Sequence, residues 1–393
     1  MPCARIPNPA KQSTLPVPLI LASLTLGGAL LGCADPDAPA QQPAGTDVAI
    51  VEPDNVYDGF LANLNALCGL AFEGVVLDAP DTDPAFNPGD PMVMHIRQCD
   101  PHEVRVPVWM GEDASRTFVF TRHPQGLDVR HDHRHSDGRP EPNTLYGAAS
   151  ALPPVAEEPP SATRMEFKRV NDEGFRTGWI AELFPGEKFL YGTQRNGEWR
   201  HHFEFDLTNP IDPPGDPWGY PPLGTVPDIA APQEAFWDHL SQHCGQAFAG
   251  ELVRIPEGSQ TFTGEEEDLI VHFRECEDTR LKLPFHVDDD HSRTWVFIKT
   301  TAGLDLRHDH RIENGAPDPQ STWYGAHTWD DGTENRQEFL REELTNGVQT
   351  GWRVEIIPGE RYTYGTIRDG EWNFRADFDL STPVDLPPAP WGH

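Results

Sequence analysis

Apolar and polar residues alternate with a period of two along much of the chain. Val104, Val106, Val108 and Met110 are interleaved with Arg105, Pro107 and Trp109. Leu281, Leu283, Phe285 and Val287 are interleaved in the same way with Lys282, Pro284 and His286. Met92, Met94 and Ile96 alternate with Val93, His95 and Arg97, as Leu269, Val271 and Phe273 do with Ile270, His272 and Arg274. Successive side chains of a strand point to opposite faces, so this pattern predicts strands with one buried face. Further strands are predicted at 69–78, 115–123, 126–134, 144–149, 164–170, 178–184, 187–195 and 198–207. Only Asp54–Leu67, with Phe60, Leu64 and Leu67 on one stripe, and Gln233–His243 carry a helical period.

The strands recur because the body of the chain is duplicated. Ser115–Arg134 reads SRTFVFTRHPQGLDVRHDHR and Ser292–Arg311 reads SRTWVFIKTTAGLDLRHDHR, 13 identities in 20 positions at an offset of 177. The match extends outward to Gly197-Glu198-Trp199 against Gly370-Glu371-Trp372 and to Pro217-Trp218-Gly219 against Pro390-Trp391-Gly392. A period this long marks a copied domain, not a solenoid. The expected organisation is a signal peptide at 1–32, a tether at 33–53, a β domain at 54–207, a Pro-rich linker at 208–232 and a second β domain at 233–393. The expected class is all-β: two tandem antiparallel barrels or sandwiches, each led by a short helix.

Export would account for the cysteines. Arg5 and Lys11, no acidic residue and an apolar run from Leu15 to Leu31 form the charged and apolar regions of a secretory signal. Leu30-Leu31-Gly32-Cys33 resembles the lipobox of bacterial lipoproteins, and that resemblance implies cleavage before Cys33 and lipid on its sulfur and amine. Two or three acyl chains hold a protein stably at a membrane where one is marginal. Residues 34–53 are a Pro/Ala/Asp stretch without periodicity, expected to be a flexible leash at the cell envelope. Cys68, Cys99, Cys244 and Cys276 remain, an even number suited to disulfides in an exported chain. The duplication aligns Cys68 with Cys244 and Cys99 with Cys276, so the symmetric pairing is 68–99 and 244–276. Each bridge closes a loop worth roughly 3.5 to 4 kcal/mol.

Charge removes one class of partner. With 63 acidic against 30 basic residues and a net charge of −33, the chain is unsuited to nucleic acid, which needs clustered Lys and Arg. The expected partners are a membrane, reached through the lipid, and a ligand or protein of unknown identity.

The chemistry worth weighing lies in Gly126–Arg134 and its copy Gly303–Arg311. His131 and His133, like His308 and His310, stand two apart on a strand and so face the same way, a geometry open to a divalent transition metal. Asp137 or Glu141 in the first copy and Glu313 in the second could complete a site, at unequal spacings. Otherwise the imidazoles belong to the core or rim, and the alternating Asp128, Arg130, Asp132 and Arg134 pair across strands. Ser115 and Ser292 lack the G-x-S-x-G elbow of a nucleophile, and Arg116 and Arg293 are expected to pair with a nearby acid. The segment is similar to the first cupin motif but misses its spacing and its Glu, and no second cupin motif follows.

The run S-R-T-[FW], the G-L-D-x-R-H-D-H-R segment and the pairs Tyr146-Gly147 and Tyr324-Gly325 together resemble a group of exported bacterial proteins of unknown function, which implies no activity. The order of helix, glycine-flanked first strand and aromatic last strand resembles the calycins, and this favours the barrel. Three functions follow as expectations. The first is a non-enzymatic, membrane-tethered lipoprotein that binds a ligand or partner. The second is a metal protein or metal-dependent enzyme using the paired histidines, and the third a lipocalin-like carrier with an apolar molecule in its lumen.

Overall fold

Period-two segments close on themselves twice. The computed structural model describes residues 55–170, 174, 176–259, 262 and 267–393. The predicted signal peptide, Cys33 and the tether lie outside these residues.

The first copy starts with helix α1 (Val56–Asn65) and continues through β1 (Ala71–Asp78), β2 (Pro91–His95), β3 (Gln98–Cys99), β4 (Glu103–Met110), β5 (Asp113–His123), β6 (Gly126–His133), β7 (Tyr146–Ala149), β8 (Arg164–Val170), β9 (Arg176–Phe184), β10 (Lys188–Arg195) and β11 (Glu198–Ile211). Neighbours run β7-β6-β5-β4-β2-β1-β11-β10-β9-β8, with β3 beside β4. A bridge from Ser150 to Phe167, and the Ala151 N–H donating to the Glu166 carbonyl at 2.7 Å, join β7 to β8 and close the ring.

The second copy repeats this with α2 (Ala231–Ser241), β12 (Ala247–Arg254), β13 (Leu269–His272), β14 (Glu275–Cys276), β15 (Arg280–Val287), β16 (Asp290–Thr300), β17 (Gly303–His310), β18 (Tyr324–Thr328), β19 (Arg336–Leu340), β20 (Thr350–Ile357), β21 (Arg361–Arg368), β22 (Glu371–Trp372) and β23 (Arg375–Asp379). Here β13 pairs with both β12 and β15, and the barrel is closed. The barrel, not the sandwich, is the fold.

The alternation is what fills each lumen. Val104, Val106, Phe118, Phe120, Leu127, Val129, Phe167, Phe189 and Phe205 are all inside the first barrel and almost wholly buried. Phe248, Val271, Leu283, Trp295, Leu306, Phe339, Val354 and Phe378 do the same in the second. Phe60, Leu61 and Leu64 of α1 and Phe236, Trp237 and Leu240 of α2 pack into the same clusters. The disulfides follow the symmetric pairing, Cys68–Cys99 and Cys244–Cys276, with Cα separations of 6.1 and 6.2 Å. Among the described residues, no helix is long and apolar enough to cross a membrane.

The expected linker is mostly exposed and is tied down at single points. Strand β11 runs four residues into it, with Pro210 opposite Phe72, and α2 begins at Ala231. Between them, Arg97 binds Asp216 at 2.6 Å and the Trp218 N–H donates to the Ala114 carbonyl. The C-terminal tail straps the second barrel at the equivalent place, with the Trp391 N–H on the His291 carbonyl.

Both barrels belong to one compact unit, and they meet through equivalent surfaces. Glu103 and Arg280, matching positions in the two copies, face each other at 3.3 Å. Gly138 lies against Thr301, and Gly315 against Pro124, the reciprocal contact. Reciprocity of this kind is the mark of a two-fold interface, here inside one chain.

Candidate functional site

The repeated histidine segment lies on β6 and β17, and its two faces have different fates. The inner face carries His131 and His308. The His131 Nδ1 is 3.3 Å from the Tyr146 carbonyl, which can only accept, so Nδ1 carries the proton and Nε2 accepts from the Tyr191 hydroxyl at 2.8 Å. His308 repeats this with the Tyr324 carbonyl and the Tyr364 hydroxyl. Burial, with a smaller push from His133, drives His131 down to about 3; burial drives His308 to about 3 as well. These are neutral imidazoles with both nitrogens engaged.

Nor do the paired histidines converge. The Tyr146 ring stacks on His131 at 4.8 Å and meets His133 edge-on at 5.4 Å, and Tyr324 stands likewise between His308 and His310. Glycine at the next position permits this: a Cβ on Gly147 would sit 1.8 Å from the Val129 carbonyl oxygen, and on Gly325 2.0 Å from that of Leu306. The Tyr-Gly pair thus lets β7 and β18 press close and lay an aromatic ring over the imidazole. Among the described residues no group of three or more metal-ligating side chains forms. Glu141 does approach the first pair, at 3.6 Å from His133. Arg116 and Arg293 pair with Asp113 and Asp290, the acids expected nearby.

The outer face of β6 and β17 is buried too, because the other barrel covers it. Its ladder pairs within each strand: Arg130 with Asp128 at 2.5 Å, Arg134 with Asp132 at 3.0 Å, Arg311 with Asp309 at 2.8 Å. The expected cross-strand pairing is replaced by i, i+2 pairs on one face. Each strap adds a cap: the Tyr220 hydroxyl donates to Asp132 at 2.7 Å, and His393, its counterpart, reaches Asp309 at 3.2 Å. Burial pushes Asp132 up, but Arg134 and Tyr220 outweigh it and hold the carboxyl at about 2. The ladder also reaches across the seam, from Arg134 to Asp305 at 3.0 Å.

Beside this link the seam opens into a cavity of about 380 Å3. Its walls come in equivalent pairs: Arg130 and Arg307, Tyr146 and Tyr324, Arg169 and Arg341. Leu145 and Trp323, which also line it, both have a φ of 59°, a left-handed backbone unusual for such side chains. Repeated strain of this kind is typical of functional positions. Nothing in the period-two pattern singles out Arg169, near the end of β8, or Arg341, the residue after β19; the strap residues Tyr220 and His393 were equally hidden.

No protein-family model matches the chain, and no curated protein matches it. Among solved structures, a protein of unknown function from the DUF3598 family of Nostoc punctiforme aligns at 12% identity over 83% of this chain and 98% of its own, with a TM-score of 0.21. A Bacteroides fragilis chain described as a candidate outer membrane protein aligns at 11% identity over 80% and 98%, with a TM-score of 0.17. Likenesses this slight carry no argument about function.

Proposed function

We propose that this is an exported bacterial envelope protein, anchored through lipid on Cys33, that binds a small ligand at the seam between its two barrels. The observation that carries the ligand reading is the contrast between filled lumens and an open seam. Each lumen is packed with its own side chains, which disfavours an apolar carrier of the lipocalin type. The seam cavity has a volume within the range of ligand sites and mixes aromatic walls with a few convergent polar groups. Two disulfides and the secretory signal support the extracytoplasmic setting.

The test is a thermal-shift screen of the mature chain against cationic, neutral and anionic small molecules, followed by hydrogen exchange with any stabilising compound. A ligand raises the melting temperature by binding the folded state alone. Added protection should fall on residues 140–146 and 322–327. Protection elsewhere, or no stabilising compound of any charge, would overturn the reading.

A further inference from the structure

We infer that the seam cavity receives one small organic anion, a carboxylate or a phosphate monoester on an apolar body. This rests on the seam being the binding site and names the chemistry that site selects. In a chain with twice as many acidic as basic residues, four arginines line one cavity: Arg130, Arg169, Arg307 and Arg341. They are not equally satisfied. Arg130 is held by Asp128 through two bonds of 2.5 and 3.0 Å. Its counterpart Arg307 should have Asp305, but Arg134 of the other barrel takes the Oδ2 of that carboxylate at 3.0 Å, and among the described residues Oδ1 has no hydrogen-bond partner. Arg307 is left 3.7 Å from Asp305, and among the described residues its Nε and one Nη have no hydrogen-bond partner.

Arg307 is 4% exposed and lines the cavity, so this is a buried guanidinium with two unused donors beside it. A buried charge of that kind needs a counter-charge, and a guanidinium offers a carboxylate or phosphate two parallel bonds. The acids in the wall compete weakly: Glu141 is turned to His133 at 3.6 Å and Glu342 to His135 at 2.9 Å, leaving Glu343. Leu145, Tyr146, Trp323 and Tyr324 supply the surface for an apolar body. Inorganic phosphate alone would leave that surface empty.

The experiment is calorimetry on the mature, full-length chain with benzoate, phenyl phosphate, inorganic phosphate, neutral benzamide and cationic benzylamine. Benzoate or phenyl phosphate should bind at least about tenfold tighter than benzamide, and the stronger of the two identifies the head group. Arg307→Met should weaken that binding at least about tenfold. Arg169→Ala, at an exposed position, should weaken it severalfold and decides the matter should Arg307→Met fail to fold. No saturable binding of either organic anion up to ~10 mM overturns the inference. So does full retention of affinity in the folded variants. Benzamide or benzylamine bound in the seam would leave the binding reading standing and remove the anion.

Discussion

Glu103 and Arg280 hold the same position in the two copies, and they touch each other at 3.3 Å across the seam. A residue that meets its own counterpart lies next to a symmetry axis. Burial pushes the Glu103 carboxyl up, yet Arg105 and Arg280 outweigh it and hold it at about 2. Around this pair the reciprocal contacts of Gly138 with Thr301 and Gly315 with Pro124 follow the same axis. The chain is arranged as a homodimer would be, with the linker and tail strapped over equivalent edges. Within the ladder the symmetry breaks where Arg134 captures Asp305 and leaves Arg307 at 3.7 Å from it.

That asymmetry links the seam to the cavity. Arg134→Met would strip a buried cation from Asp132 and Asp305, and removing one partner of a buried pair costs about 3–5 kcal/mol. Freed Asp305 would turn to Arg307 and compete with any anion there. Urea denaturation should show the loss of stability, and calorimetry with phenyl phosphate a weaker affinity. Unchanged affinity in a folded variant would mean that Arg307 already has its counter-charge.

The inner imidazoles are structural in this account. Tyr191→Phe removes the donor to the His131 Nε2 and should cost about 1–3 kcal/mol, and Tyr364→Phe should do the same in the other barrel. The two sites lie in separate cores, so the double variant should show the sum. Denaturation midpoints check both statements, and a negligible effect in either barrel would show that the bond is not made there.

Acid should destabilise the protein early. Burial pushes His131 and His308 down to about 3 and His123, His286 and His327 down to about 4. Unfolded histidine titrates near about 6.5. Between that pH and the folded values, the unfolded chain binds more protons, so stability rises with pH. The contribution is complete above about pH 6.5 and is lost as the pH falls toward 3. Asp132 and Glu103, held at about 2, add to the loss below the ordinary carboxylate range, while Asp128, raised by burial against Arg130, opposes it. The urea midpoint should be flat near neutrality and fall from about pH 6.5 downward. A His131→Gln, His308→Gln variant should begin lower and fall less steeply. A midpoint unchanged down to pH 4 would show the histidines to be accessible.

The barrels and both disulfides were legible because period-two alternation and a copied segment are local features, readable from residues such as Val104, Val106 and Val108. The seam was not. Parity places Asp128 and Arg130 on the face opposite Leu127 and Val129, but it cannot say that a second barrel covers that face. The ladder reads as a cross-strand array for this reason. The paired histidines suggested a metal because spacing shows a shared direction; it does not show Tyr146 inserted from a neighbouring strand. The strap read as a linker because Pro-rich sequence has no period, and its anchors are single contacts such as Arg97 to Asp216.

Anchoring is tested away from the fold. The chain with Cys33 should partition with membranes, and Cys33→Ala should leave a folded protein in the soluble extracytoplasmic fraction. Mass spectrometry of the N-terminal peptide should find acyl mass on Cys33. Equal membrane association of both forms would remove the lipid anchor and leave the seam untouched.

One measurement bears most directly on a shared, dyad-centred site: the stoichiometry of phenyl phosphate binding by the mature chain. A cavity built from both barrels predicts one molecule per chain, bound more weakly when Arg307 is replaced by Met. Two equal molecules per chain, one for each barrel, would contradict it.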